Sequence, residues 1–139
     1  MEISHTTPRA RKRHRCDHCG DMIEPGTVYD RTVDAWDGLR TFRSHVECAA
    51  AANDLHKIIE AGYEGVNLSC DLEIDDVPWL REDHPLVAAR FKELCRAYDD
   101  AARRREEDLA KLPAAAIALI EEARRQQAAR AAARLAATA

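Results

Sequence analysis

Aromatic side chains are scarce in this sequence, at 5% of its 139 residues, whereas charged residues make up 33%. So little aromatic bulk argues against one large, well-filled core. No stretch approaches the roughly 20 apolar residues of a membrane-spanning helix. The basic N-terminus also lacks the apolar segment of a signal peptide. We therefore expect a cytoplasmic protein, with no membrane partner, made of a small N-terminal module and a long helical segment.

The five cysteines are an odd number, which does not suit a closed disulfide framework. Four residues instead form two close pairs, Cys16-x2-Cys19 and His45-x2-Cys48. Two intervening residues let both sulfurs of a knuckle face one point, and residues three apart share one face of a helical turn. Because Zn²⁺ prefers four such ligands in a tetrahedron, the spacing predicts one structural zinc site.

On these four residues, the stretch from about 15 to 60 resembles the treble-clef zinc fingers. Its ligand order is similar to that of the PARP-type finger and of the first half of a LIM domain, although no second finger follows Cys48. It is more loosely similar to small single-zinc proteins of phages and other mobile elements. The resemblance implies a knuckle, a β-hairpin and a helix around a Zn²⁺ ion with no open coordination position.

The remaining histidines and cysteines near this pattern have simpler expected roles. His14 and His18 could substitute as ligands, but we expect His18 to point to solvent. Cys70 and Cys95 lack partners at metal-binding spacing and are expected to be buried small residues. Three thiolates exceed the charge of one Zn²⁺ ion, and we expect Arg15 and Arg43 to offset the excess.

The pattern along the chain predicts an α+β fold in four parts. Residues 1–14 should be a flexible basic arm, and 15–62 the zinc-finger domain. Its strands should run over 27–35 and 39–44, followed by a helix over 45–60 that Gly62 ends. Residues 63–83 should form an acidic irregular connector that packs over the finger or the helices. Residues 84–139 should be a long helical assembly region, interrupted at Pro113 as a kink, a helical hairpin or a coiled coil.

Basic residues cluster beside the predicted knuckle and along the predicted hairpin. Nucleic-acid contacts are predicted at Arg9, Arg11, Lys12, Arg13, Arg15, Trp36, Arg40 and Arg43. Arginine and lysine can neutralise phosphates, and an exposed tryptophan can stack on bases. The net charge of −4 means that any such binding depends on a local surface rather than on the whole chain.

Motifs of common enzyme classes are missing, including GxGxxG and the Walker phosphate loop. His45, Asn53 and His56 have the residue types of some nucleases, but His45 is required for zinc. We therefore expect no catalytic residues and no small-molecule substrate. The favoured function is a zinc-binding adaptor whose finger and arm bind nucleic acid and whose helical half mediates self-association or partner binding. The alternative is a protein-only binding factor, such as a phage-type host-protein binder or inhibitor, with a purely structural zinc.

Overall fold

The computed structural model describes residues 2–35, 37–59 and 65–138. In these described residues, five strands precede six α-helices, so the predicted α+β class is confirmed. The strands are β1 (Glu2–Thr6), β2 (His14–Arg15), β3 (Met22–Ile23), β4 (Tyr29–Asp34) and β5 (Arg40–His45). The helices are α1 (Val46–Ile58), α2 (Leu68–Asp71), α3 (Val77–Asp83), α4 (Pro85–Ala88), α5 (Lys92–Ala110) and α6 (Ala114–Ala137). The chain divides after Tyr98 into two compact units.

Strands β4 and β5 form the predicted hairpin at the centre of the first unit. They pair antiparallel from Tyr29 opposite His45 to Asp34 opposite Arg40. Gly38, in the connecting turn, has φ of 93°, a left-handed conformation that glycine adopts without strain. The predicted contact residue Trp36 and the predicted helix stop Gly62 are outside the described residues.

The expectation of a flexible arm over residues 1–14 is corrected by the structure. Strand β1 pairs antiparallel with β4, which makes β4 the middle strand of a three-stranded sheet. Farther along, Ala10 is buried and exchanges backbone hydrogen bonds with Gly26 and Thr27. Composition alone did not reveal this pairing, because β4 offers a second row of backbone donors and acceptors that any nearby extended segment can satisfy.

The first unit has one core that joins the sheets to the short helices. Its buried members include Cys16, Ile23, Tyr29, Cys48, Leu55, Leu68, Leu80 and Val87. The prediction that the acidic connector packs against the rest of the finger is therefore confirmed. The prediction that its backbone is irregular is wrong. Residues 68–83 form α2, a 3₁₀ turn at Ile74–Asp76 and α3. Leu68, Val77 and Leu80 lie on the inner sides of these helices, which explains why the acidic stretch carries apolar residues.

The predicted helix from Pro85 to Leu112 is interrupted between α4 and α5. The Arg90 N–H bonds back to the Val87 carbonyl at 2.9 Å, a three-residue spacing that tightens the chain into a turn.

The second unit contains most of α5 and all of α6, separated at Pro113 as predicted. Side chains of both helices, among them Leu109, Ile117 and Ile120, line one shared cleft. In the part of the chain that the structure describes, no helix combines the length and apolar character needed to cross a membrane.

Candidate metal centre

The first ligand pair lies in a tight knuckle between β2 and β3. The Gly20 N–H donates to the Cys16 carbonyl at 2.9 Å, and the Cys16 N–H donates to the Asp21 carbonyl at 2.9 Å. Gly20 has φ of 79°, which allows the chain to reverse directly after Cys19. This backbone turn places the two sulfurs of Cys16 and Cys19 on the same side.

The second ligand pair lies where β5 passes into α1. His45 is both the last residue of β5 and the N-cap position of α1, and Cys48 lies in the first helical turn. Residues at these positions share one face of the helix. The predicted start of the helix at His45 is therefore correct to within one residue, and the placement of the pair is confirmed.

The four side chains meet in one compact cluster. The Sγ atoms of Cys16, Cys19 and Cys48 and one ring nitrogen of His45 all lie within 4.8 Å of one another. His45 Nδ1 is 3.4 Å from Cys19 Sγ and 3.9 Å from Cys48 Sγ. Around a tetrahedral ion with ordinary Zn–S and Zn–N bonds, the N–S edge would be about 3.6 Å. The donors therefore fit a metal ion of this coordination.

A hydrogen bond on its far side orients the His45 ring. His45 Nε2 lies 3.3 Å from the backbone carbonyl of Met22, to which the Nε2–H can donate. This bond leaves the Nδ1 lone pair facing the three sulfurs. Metal-binding histidines are commonly oriented in this way, because the outer bond fixes both the tautomer and the angle of the ring. The carbonyl comes from β3, so the small β2–β3 sheet contributes an outer partner as well as flanking the knuckle.

Contacts within the cluster shift the pKa values of its three thiols in different directions. A hydrogen bond with the Cys48 thiol lowers the pKa of Cys16 well below the ordinary thiol value. The same hydrogen bond, together with burial, raises the pKa of Cys48. Burial also raises the pKa of Cys19. Metal binding would therefore displace the protons of Cys19 and Cys48, and affinity should fall as the pH is lowered.

Arg90 brings a positive charge to the edge of the cluster. Its Nη1 atom is 3.5 Å from Cys48 Sγ and 3.5 Å from a carboxylate oxygen of Glu47. Burial alone would lower the pKa of Arg90, but the bond to Cys48 and the charge of Glu47 raise it. The sequence analysis missed this residue, because 42 positions separate Arg90 from Cys48 and no local pattern links them.

Replacing Arg90 by alanine should weaken metal binding. The guanidinium disperses charge from the Cys48 thiolate, and loss of an outer partner of this kind typically costs about 10- to 100-fold in metal affinity. Competition between the protein and a chelator for Zn²⁺ measures the change. Arg96→Ala is the matched control, since Arg96 pairs with Glu93 on the exposed surface of α5. Equal affinities for the two variants would contradict a role for Arg90 at the centre.

His18, Cys70 and Cys95 do not join the cluster, and two of them differ from expectation. His18 is 5% exposed rather than solvent-facing, and its ring packs edge-on against Phe42. Its Nδ1 accepts a hydrogen bond from the Leu68 N–H at 3.3 Å, which ties the knuckle to α2. Cys70 is exposed rather than buried, while Cys95 is half-buried against the core.

The predicted basic contact residues fall into separate groups in the structure. Arg9 donates to the Gly26 carbonyl, and Arg13 makes two hydrogen bonds with the Glu24 carboxylate at 2.9 Å. Arg40 lies opposite Asp34 at the distal end of the hairpin. Arg11, Lys12 and Arg15 are exposed near β2, and Arg43 is half-buried on β5.

Lys12 and Arg43 share a surface with Arg31, a residue that the sequence analysis missed. Arg31 and Arg43 are directly opposite each other on β4 and β5. The His14 ring packs on Tyr29, which lies on the same face of β4 as Arg31. Burial and the nearby charges of Arg43 and Lys12 lower the pKa of His14. We call Lys12, His14, Arg31 and Arg43 the basic face. The only signal for it in the sequence was the hairpin register, which aligns residues 31 and 43 once Tyr29 is placed opposite His45.

Comparison of this chain with protein-family models, with curated proteins and with solved structures finds no match. The arrangement of three cysteines and one histidine is compatible with a zinc finger and is positioned to bind a metal ion.

Proposed function

We propose that this chain is a non-enzymatic zinc-binding adaptor whose treble-clef-type finger binds nucleic acid through the basic face. The ligand set supports Zn²⁺, because three thiolates and one imidazole in a tetrahedron suit this ion and complete its shell. A complete shell leaves no position for an activated water molecule. The zinc therefore has a structural role, and it holds the knuckle against the hairpin that carries the basic face.

The pairing of Arg31 with Arg43 is the observation that carries the nucleic-acid proposal. Like charges directly opposite each other in an antiparallel ladder are destabilising. Within residues 2–35, 37–59 and 65–138, neither guanidinium forms an ion pair with a carboxylate, and Arg43 Nε is buried without a hydrogen-bond partner. A phosphate bound over the two guanidinium groups would relieve the repulsion between them.

Several other arginines are paired with carboxylates, whereas Arg31 and Arg43 have no such pair among the described residues. Ion pairs join Arg13 to Glu24, Arg90 to Glu47, Arg103 to Asp100 and Arg125 to Glu122. Even Asp17, whose carboxylate lies beside β5, accepts from the backbone N–H of Arg43 at 2.7 Å rather than from its guanidinium. The charge of Arg31 and Arg43 is thus available to an outside anion.

The test is a fluorescence titration of the intact, zinc-loaded chain with single- and double-stranded DNA and RNA at two salt concentrations. Because binding releases counterions from phosphates, the affinity should fall steeply as salt rises. Comparing the four nucleic acids identifies the preferred form. Absence of salt-dependent binding to all four would reject the nucleic-acid proposal and favour the protein-only alternative with a structural zinc.

We further propose that the second unit mediates assembly with another copy or another protein. The support is the exposure of α6, where Leu119 and Leu135 are 73% and 74% exposed and no described residue is buried. Exposed leucines on a helix gain free energy when a second surface covers them. Sedimentation velocity of the intact chain at increasing concentration tests self-association. A monomer throughout would leave a different protein as the required partner.

A further inference from the structure

A polar cavity lies on the face of the three-stranded sheet that is opposite the basic face. Strand alternation turns Asp30, Thr32 and Asp34 away from Arg31. The cavity has a volume of about 620 Å³ and is also bordered by α1 and by residues 65–67. This volume is in the range of small-molecule sites in proteins.

The described lining of this cavity contains carboxylates but no lysine or arginine. Three carboxylates border it, those of Glu2, Asp30 and Asp34. Asp30 is already engaged, because its Oδ2 accepts from His5 Nε2 at 2.6 Å. The other polar groups are three imidazoles, those of His5, His18 and His56, and hydroxyl and amide side chains such as Thr32 and Asn53.

Asp34 is the carboxylate whose bonding is incomplete. Its Oδ1 atom is buried and has no hydrogen-bond partner among the described residues. A buried acceptor without a donor costs free energy, and the cost is larger for a charged group. Arg40 is opposite Asp34 in the ladder, yet the two side chains form no ion pair among the described residues. Within the described residues, Asp34 Oδ1 therefore lacks a hydrogen-bond donor.

Apolar side chains complete one wall of the cavity. Phe42, Ala49, Ala52 and Val66 line it beside the polar groups. An aromatic ring and aliphatic carbons can cover the methylene chain of a ligand, and an aromatic face attracts a cation. The wall is fixed, because the buried His18 ring packs edge-on against Phe42 and is hydrogen-bonded to α2.

We propose that this cavity binds an organic cation, an alkyl ammonium or guanidinium group whose N–H donors satisfy Asp34 and whose carbon chain lies along Phe42. The cation could be a free amine or the side chain of a lysine or arginine in a protein partner. A bare divalent ion is a poorer fit. Within the described residues, the cavity's carboxylates and imidazoles do not come together in a group of three within reach of one metal ion.

Calorimetric titration of the intact, zinc-loaded chain with agmatine tests the proposal. Asp34→Asn should weaken binding by at least about tenfold, because it removes a charged acceptor from a hydrogen bond to the cation. Without agmatine, Asp34→Asn should melt at the same or a higher temperature, since it removes a buried, unsatisfied charge. Asp75→Asn is the matched control, because Asp75 is exposed on the 3₁₀ turn outside the cavity. Arg40→Ala should tighten binding by removing the neighbouring cation.

Further ligands distinguish the sources of the cation and the rival explanations. N-acetylarginine amide represents a protein side chain, and its neutral counterpart N-acetylcitrulline amide should not bind. Tighter binding of agmatine or spermidine than of the arginine amide would identify a free amine as the ligand. The proposal is overturned if agmatine does not bind, if Asp34→Asn binds as the wild type does, or if Mg²⁺ or Mn²⁺ binds instead. Should Asp34→Asn fail to fold, Glu2→Gln should still weaken agmatine binding, and an unchanged affinity would reject the site.

Discussion

Replacing Cys48 by serine is expected to abolish metal binding and to unfold the first unit. Cys48 is fully buried, and it belongs to the same core as Leu55, Leu80 and Val87. Structural zinc in small domains contributes roughly 10–16 kcal/mol of apparent binding free energy, which is at least comparable with the about 5–15 kcal/mol that stabilises a typical domain. Losing one of four ligands therefore removes most of the stabilisation of a unit whose core is small.

The measurements are the zinc content of the purified protein and thermal unfolding followed by near-ultraviolet circular dichroism. Wild type should contain one zinc per chain, and a strong chelator should reproduce the loss of tertiary signal. Cys70→Ser is the control, because Cys70 is exposed and lies outside the cluster. If Cys48→Ser retained one zinc and a cooperative transition, the four-ligand centre would be wrong.

Removing both arginines of the basic face is expected to weaken nucleic-acid binding without destabilising the finger. In Arg31→Ala/Arg43→Ala, two phosphate contacts are lost, so the slope of log K against log salt on duplex DNA should decrease by about 1.8. The free energy of unfolding should stay the same or rise, because the variant also removes a like-charge pair in the β4–β5 ladder. Titrations at several salt concentrations and chemical denaturation measure the two effects.

Arg13→Ala provides the comparison for this double variant. Arg13 carries the same charge as Arg31 but is paired with Glu24, so its replacement should change the salt dependence less. The combination of weaker binding with unchanged stability separates a contact surface from a structural role. A double variant that binds as tightly as the wild type, with the same salt slope, would remove the basic face from the proposal. A large loss of stability would show that the arginines serve the fold instead.

Local patterns in the sequence were sufficient to predict the metal centre and the elements that carry it. The two ligand pairs each span a single turn, so their geometry follows from a knuckle and a helical turn without knowledge of the rest of the chain. Gly20 and Gly38 have positive φ in the tight turns of the knuckle and the hairpin. Pro113 separates the last two helices because proline lacks the N–H that would continue α5.

Contacts between distant residues were decided only by the tertiary structure. Residues 2–6 form β1 because they pair with the second edge of β4. His18 is buried because α2 packs on the knuckle. Arg90 reaches Cys48 from the turn between α4 and α5, and Asp34 faces a cavity bordered by α1. Spacing and periodicity report interactions within a turn or along a strand. They carry no information on which separate elements share a core, since that depends on how the whole chain buries its apolar surface.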